Sequence, residues 1–204
     1  MNGHPVICCI DGNIGAGKST ILDILQDKGY RVYKEDVSSW EWCLSKYYTD
    51  PKRWSFTLQM LILQSLSSLH DKIVEDGESC EIVFVERQPL STIVFANNAF
   101  KNGNIEEDEY KLFKSYFDKV VWSPDLTLML NVSPRKCLAR IKTRNRSFEQ
   151  NIDMQYLDDL DKQYRDMAYR HNFIVINDDD DDHVIDDIVD EIVDIVIEKI
   201  DSNC

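Results

Sequence analysis

The chain has 204 residues, enough for one good core and short for two, so a single domain over residues 1–204 is expected. Its 37 acidic and 23 basic side chains leave a formal net charge of −14, which excludes a general affinity for nucleic acid or an anionic membrane surface. No apolar run approaches a bilayer span, nothing resembles a leader, and six cysteines without C-x-x-C spacing read as reduced core and surface thiols, so a soluble cytoplasmic protein is expected.

The first element is an apolar run, Pro5 to Ile10, which reads as a buried strand with Cys8 and Cys9 on opposite faces. Directly after it, Gly12-Asn13-Ile14-Gly15-Ala16-Gly17-Lys18-Ser19-Thr20 matches the phosphate loop G-x-x-x-x-G-K-[ST] and runs into a helical segment. In that context the glycines let backbone N–H groups converge on phosphate oxygens. The helix start adds positive charge, Lys18 reaches the outer phosphates, and Ser19 can ligate Mg²⁺. A nucleoside triphosphate is the implied ligand.

Four further β-rich segments follow, at residues 31–34, 81–86, 125–132 and 173–177, separated by stretches with helical periodicity. This alternation predicts an α/β fold, a five-stranded parallel sheet flanked by helices, with the second strand beside the phosphate-loop strand. Residues 54–74 carry a helical apolar stripe with Pro51 just upstream, and 111–121 and 152–169 read as further helices. Residues 101–104 form a turn, and the five aspartates at 178–182 read as a solvated acidic loop leading into a terminal helix over 183–200.

An acidic chain that binds a polyanion must concentrate positive charge locally. Arg140, Lys142, Arg144 and Arg146 do so within seven residues. On a helix, positions 140 and 144 share a face that Arg146 extends, and arginines there can close over phosphate oxygens as a lid at about 140–151. A solvated basic face is the plain alternative. The third strand ends in Glu86-Arg87, at the sheet edge where ligands bind in open α/β folds, so Glu86 can hold Mg²⁺ and Arg87 can orient a base or phosphate, unless the two simply pair. After the second strand, Glu35 or the adjacent Asp36 can take the proton of an attacking hydroxyl. Trp40, Tyr47, Tyr48, Trp54 and Phe56, with Gln59, offer stacking surfaces and a bidentate amide for a planar base, although such aromatics also serve as core.

Taken in order, Gly12 to Thr20, Glu35 to Trp40, Tyr48 to Trp54, Gln59, Glu86-Arg87, Arg140 to Glu149 and Tyr156-Leu157 resemble the deoxyribonucleoside kinase family. That family includes the deoxycytidine, deoxyguanosine and mitochondrial thymidine kinases and, more distantly, the herpesvirus thymidine kinases. The resemblance implies a P-loop kinase with an arginine-rich lid that moves the γ-phosphate of ATP, bound with Mg²⁺, onto the 5′-hydroxyl of a deoxynucleoside in nucleotide salvage. It makes Glu35 the base, Arg87 its steadying partner and Glu86 a metal-associated carboxylate. Gln59 pairs with the nucleobase edge, Trp40 and Phe95 wall it, and Tyr48 with Glu149 grips the sugar 3′-hydroxyl. Arg140, Arg144 and Arg146 become lid arginines that contact ATP, and a homodimer is expected.

The chain departs from the family pattern in Glu35-Asp36-Val37 and Glu86-Arg87-Gln88, and the segment after Arg87 is one residue shorter and lacks a base-contacting arginine. Phe148 stands in place of a lid acid. A small Ser91 leaves room for a methyl group, so pyrimidines are favoured, thymidine first. The rivals are a thymidylate or other deoxynucleoside monophosphate kinase, which needs a cation where this chain has Glu35-Asp36, and a nucleotide-binding regulatory subunit, which has no need to keep the catalytic set.

Overall fold

The computed structural model describes residues 5–76, 82–178 and 185–201, the side chains of 147 and 201 excepted. Five parallel strands are arranged β2-β3-β1-β4-β5: β1 (Val6–Gly12), β2 (Arg31–Tyr33), β3 (Ile82–Glu86), β4 (Leu126–Asn131) and β5 (Ile174–Asn177). The helices are α1 (Lys18–Asp27), α2 (Glu41–Thr49), α3 (Pro51–Asp76), α4 (Ser91–Lys101), α5 (Glu107–Val120), α6 (Pro134–Arg144), α7 (Met154–Arg170) and α8 (Ile185–Asp201).

The central strand β1 is buried on both faces. Cys8 and Ile10 meet Leu22 and Leu25 of α1 and Val189 and Ile192 of α8, whereas Ile7 and Cys9 meet Ile73 of α3. Met129 of β4 packs with Val94 of α4 and with Leu160 and Met167 of α7. Helices thus cover both sides of the sheet, as a parallel sheet requires. All four described cysteines, Cys8, Cys9, Cys43 and Cys137, are free and buried, so none of them is a surface thiol, and Cys80 and Cys204 lie outside the described residues.

The strand order corrects the sequence-based expectation that β2 adjoins β1. It is β3 that pairs with β1, Ile10 opposite Glu86, and β2 pairs on the far side of β3, Tyr33 opposite Val85. The physical reason is burial. Val83, Phe84 and Val85 are fully buried on both faces of the sheet, which suits an interior strand. The three residues of β2 are all partly exposed, which suits an edge.

Two helices lack a local signature. The α2 segment is short and aromatic, and α4 opens on β-branched Thr92-Ile93-Val94, which has strand propensity but follows Pro89 at a buried site. By contrast α6 and α7 carry legible starts: Ser133 accepts from Lys136 N ahead of Pro134, and Asp153 accepts from Tyr156 N at 2.8 Å. The turn after α4 contains Gly103 at φ 69°. Residues 81, 179–182, 183 and 184, placed by sequence in the third strand, the acidic loop and the last helix, lie outside the described residues. Asp178 corrects the picture of a solvated loop. It is buried, accepts from Lys136 Nζ at 3.1 Å and from Arg140 Nη2 at 2.6 Å, and pairs with these cations because they project from α6 across the end of β5. Among the described residues no helix is long and apolar enough to cross a membrane.

Candidate active site

The loop between β1 and α1 is shaped by positions only glycine can fill. A Cβ on Gly12 (φ 135°) would come within 2.8 Å of the Leu130 carbonyl, and one on Gly15 (φ 79°) within 2.6 Å of the Cys137 carbonyl. Asn13 Nδ2 ties the loop to α7 by donating to the Leu157 carbonyl at 2.9 Å. Lys18 is buried and donates Nζ to the Gly12 and Asn13 carbonyls at 3.1 and 2.8 Å. Burial, assisted by the nearby Arg87 charge, lowers its pKa to about 8. An anion arriving there relieves that cost.

Ser19 Oγ donates to Glu86 at 3.0 Å from Oε1. A hydroxyl beside one carboxylate, next to a phosphate cradle, fits Mg²⁺, which keeps several waters and needs few protein oxygens. Among the described residues no group of three or more His, Cys, Asp or Glu forms a dedicated metal cage.

Because β2 lies against β3, Glu35, two residues beyond Tyr33, comes alongside Arg87, and Arg87 Nε donates to Glu35 Oε2 at 3.3 Å. Desolvation raises the Glu35 pKa, with Arg87 and Lys18 opposing and Glu86 and Asp11 adding to the rise. A carboxylate raised in this way is a stronger base than one in water. Asp36 is exposed, and its carboxylate accepts from Ser38 Oγ at 2.5 Å, so of the two acids Glu35 is the one bound into the charged centre.

These groups border one continuous cavity of about 830 Å³ that runs from Gly15, Lys18 and Ser19 past Glu35 and Arg87 to Trp40, Gln59 and Phe95. At the far end, Leu58, Ile62 and Leu66 supply apolar walls. Gln59 is buried, and its amide Oε1 has no hydrogen-bond partner among the described residues, as is also true of Trp40 Nε1. Such atoms are costly unless a ligand satisfies them. Phe95 lies with its ring 4.9 Å from the Arg87 guanidinium carbon. Tyr47 and Tyr48 line the cavity too, whereas Trp54 faces Trp42 edge-on and Phe56 packs toward Phe113 and Phe117, so neither Trp54 nor Phe56 borders it.

The arginine cluster divides. Arg144, the last residue of α6, grips Glu149 through Nε and Nη2 at 2.7 and 2.5 Å, beside Tyr48 and the half-exposed Arg146. The helix ends there because Asn145 is left-handed (φ 49°), so Arg146 leaves the helical face. Arg140 turns elsewhere, donating to the Ala16 carbonyl at 3.0 Å and to Asp178, and does not border the cavity. Sequence reasoning passed over Asp11, Tyr164 and the hydroxyl role of Ser91. Asp11 sits directly before Gly12 and carried that much signal; Tyr164 is one of several residues in the apolar stripe of α7 and carried none.

A family model described as deoxynucleoside kinase matches residues 8–199 of this sequence. The chain belongs to the deoxynucleoside kinase family. It is 34% identical over 166 residues to the putative deoxynucleoside kinase of frog virus 3, covering 81% of this chain and 84% of that one. The Dictyostelium discoideum deoxyguanosine kinase is 32% identical over 170 residues, 81% of this chain and 59% of its own length. In structure the kinase is similar to the deoxyadenosine kinase of M. mycoides, solved with dCMP and a flexible dCDP bound, at TM-score 0.81 and 26% identity over 94% of this chain and 99% of that one. The same M. mycoides protein with dATP gives a TM-score of 0.75 at 27% identity, over 93% and 98% of the two chains. The kinase therefore has the P-loop kinase fold.

Proposed function

We propose that the kinase transfers the γ-phosphoryl group of ATP to the 5′-hydroxyl of a deoxynucleoside. The observation that carries this reading is the Glu35–Arg87 pair at 3.3 Å in the same cavity as Lys18 and Ser19. Residues 12–20 cradle the triphosphate, and Arg144 and Arg146 close over it, with Arg140 bracing the loop through Ala16. Ser19 and Glu86 would hold Mg²⁺, which would supply charge neutralisation on the phosphates. Glu35 takes the hydroxyl proton as the oxygen attacks, and Arg87 steadies Glu35 and the incoming phosphoryl group. Closure excludes water that would otherwise hydrolyse ATP.

For the nucleoside, Trp40 and Phe95 wall the base, Gln59 bonds its edge, and Tyr48 with Glu149 holds the sugar. The apolar end, and a Ser91 whose hydroxyl is spent on Asp11 and on the Gln88 amide, favour a base bearing a methyl group. Thymidine is the first candidate, ahead of other pyrimidines. A monophosphate acceptor suits the site less well, because the cation after β2, Lys34, is paired with Asp23. The test is a panel of the four deoxynucleosides and their monophosphates with ATP and Mg²⁺. Turnover of thymidine is expected, and turnover of thymidine monophosphate alone would make this a monophosphate kinase.

We further infer one domain acting as a homodimer in the cytoplasm. A groove of about 280 Å³ between α3 and α5, lined by Phe56, Met60, Leu61 and Tyr116 near the exposed Leu112, supports the dimer, and the buried free thiols support a reducing compartment.

A further inference from the structure

Arg87 has a left-handed backbone (φ 66°), rare for a residue with a long side chain, and its side chain is only 7% exposed. A cation this deep persists only where acceptors surround it. One of them, Glu35, faces the cavity. The others come from behind. Arg87 Nη1 donates to the Gly12 carbonyl at 3.3 Å, to Asp11 Oδ1 at 3.4 Å and to the Tyr164 hydroxyl.

Asp11 and Tyr164 do not border the cavity. Asp11 is fully buried at the end of β1, and each of its oxygens is occupied. Oδ1 accepts the Gly12 amide at 2.8 Å as well as Arg87, and Oδ2 accepts the Ser91 hydroxyl. One carboxylate therefore joins the first glycine of the phosphate loop, the guanidinium of Arg87 and the start of α4. Tyr164 arrives from α7, edge-on to Phe95 with ring centroids 6.2 Å apart. Burial pushes its phenol up, so it remains neutral and meets Arg87 with an oxygen lone pair.

We propose that Asp11 and Tyr164 are positioning residues for phosphoryl transfer, holding Nη1 of Arg87 from behind so that Nε faces Glu35 in register with the phosphate loop. This rests on the reading of Glu35 and Arg87 given above. A plain buried counter-ion would affect stability alone; a positioning residue affects the chemical step through Arg87.

The test compares Asp11→Asn, Tyr164→Phe and Arg87→Ala, and each of the first two combined with Arg87→Ala, by single-turnover rates at saturating ATP and nucleoside. Nucleoside Kd and melting are measured alongside. Displacing a reacting group slightly costs up to about a hundredfold, so losses of about tenfold to a hundredfold in rate are expected for Asp11→Asn and about tenfold for Tyr164→Phe. Nucleoside Kd should stay within about twofold, and neither change should slow Arg87→Ala further. Native rates in Asp11→Asn and Tyr164→Phe beside a crippled Arg87→Ala overturn the proposal and leave the kinase reading intact. So do losses that add to that of Arg87→Ala. A native rate in Arg87→Ala overturns the reading and the proposal together. Tyr164→Phe removes one oxygen from a ring that otherwise still fills the core, so it decides the question even if Asp11→Asn fails to fold.

Discussion

Replacing Lys18 by methionine isolates the energetic cost of burying its ammonium. Lys18 is 5% exposed, and its pKa falls from 10.5 to about 8 in the folded protein, chiefly through burial. At about 1.36 kcal/mol per pH unit, the folded protein gives up about 3 kcal/mol to keep this ammonium charged. Below pH 8 the lysine is charged in both the folded and unfolded chain, and the full cost is present. Between pH 8 and 10.5 the folded protein sheds the proton first and regains stability; above 10.5 the cost is gone. The unfolding free energy of the native protein should therefore rise, relative to Lys18→Met, by up to about 3 kcal/mol between pH 7.5 and 10.5. Urea unfolding of the two proteins side by side at each pH cancels the other titrating groups. A difference that stays flat with pH refutes the reasoning. A companion result follows: a bound triphosphate restores the charge, so binding at pH 8 should take up about half a proton, measurable by calorimetry in two buffers of different ionisation enthalpy.

Glu35→Gln should lower kcat at least about a hundredfold while nucleoside binding is nearly unchanged, read by steady-state kinetics and calorimetry. The Glu35 pKa is raised in the fold, so its contribution to stability is present below the ordinary 4.5 and lost as pH rises through the raised value. The neutral amide should thus melt no lower than the native protein at neutral pH, and the acid limb of the native kcat profile should lie above 4.5. Gly15→Ala pushes a methyl group against the Cys137 carbonyl at 2.6 Å, and should weaken ATP more than about tenfold while sparing nucleoside affinity. Glu149→Gln loses the charge that grips Arg144, and should raise the nucleoside KM about tenfold, in keeping with a charge-assisted hydrogen bond. Asp178→Asn removes a carboxylate charge facing Lys136 and Arg140 and should cost about 2 kcal/mol in chemical denaturation, less than a fully buried pair because both cations are partly solvated.

Local pattern carried the elements whose sequences state their own geometry. Gly12 and Gly15 mark backbone turns that no other residue can make, Ser133-Pro134 and Asp153 open helices with side-chain oxygens, and the strand β1 announces itself by an unbroken apolar run. Elements defined by what they pack against were silent. The α4 helix has strand-like composition, and Asp178 reads as solvent-facing until Lys136 and Arg140 are seen across from it. Arg140 and Arg144 look equivalent at a spacing of four, yet one braces the phosphate loop and the other meets Glu149, because their partners lie on different elements.

The sequence by itself determined a phosphate cradle at residues 12–20, an alternating α/β fold and an ordered set of motifs resembling the deoxynucleoside kinases. Only the tertiary structure decided the neighbourhood of the charged centre. Strand order depends on which segment can bury both faces, a property of the whole sheet that no local period records. With β3 between β2 and β1, Glu35 meets Arg87, and Arg87 in turn rests on Asp11 from β1 and Tyr164 from α7. The four residues lie far apart in the chain, and folding alone makes them one site.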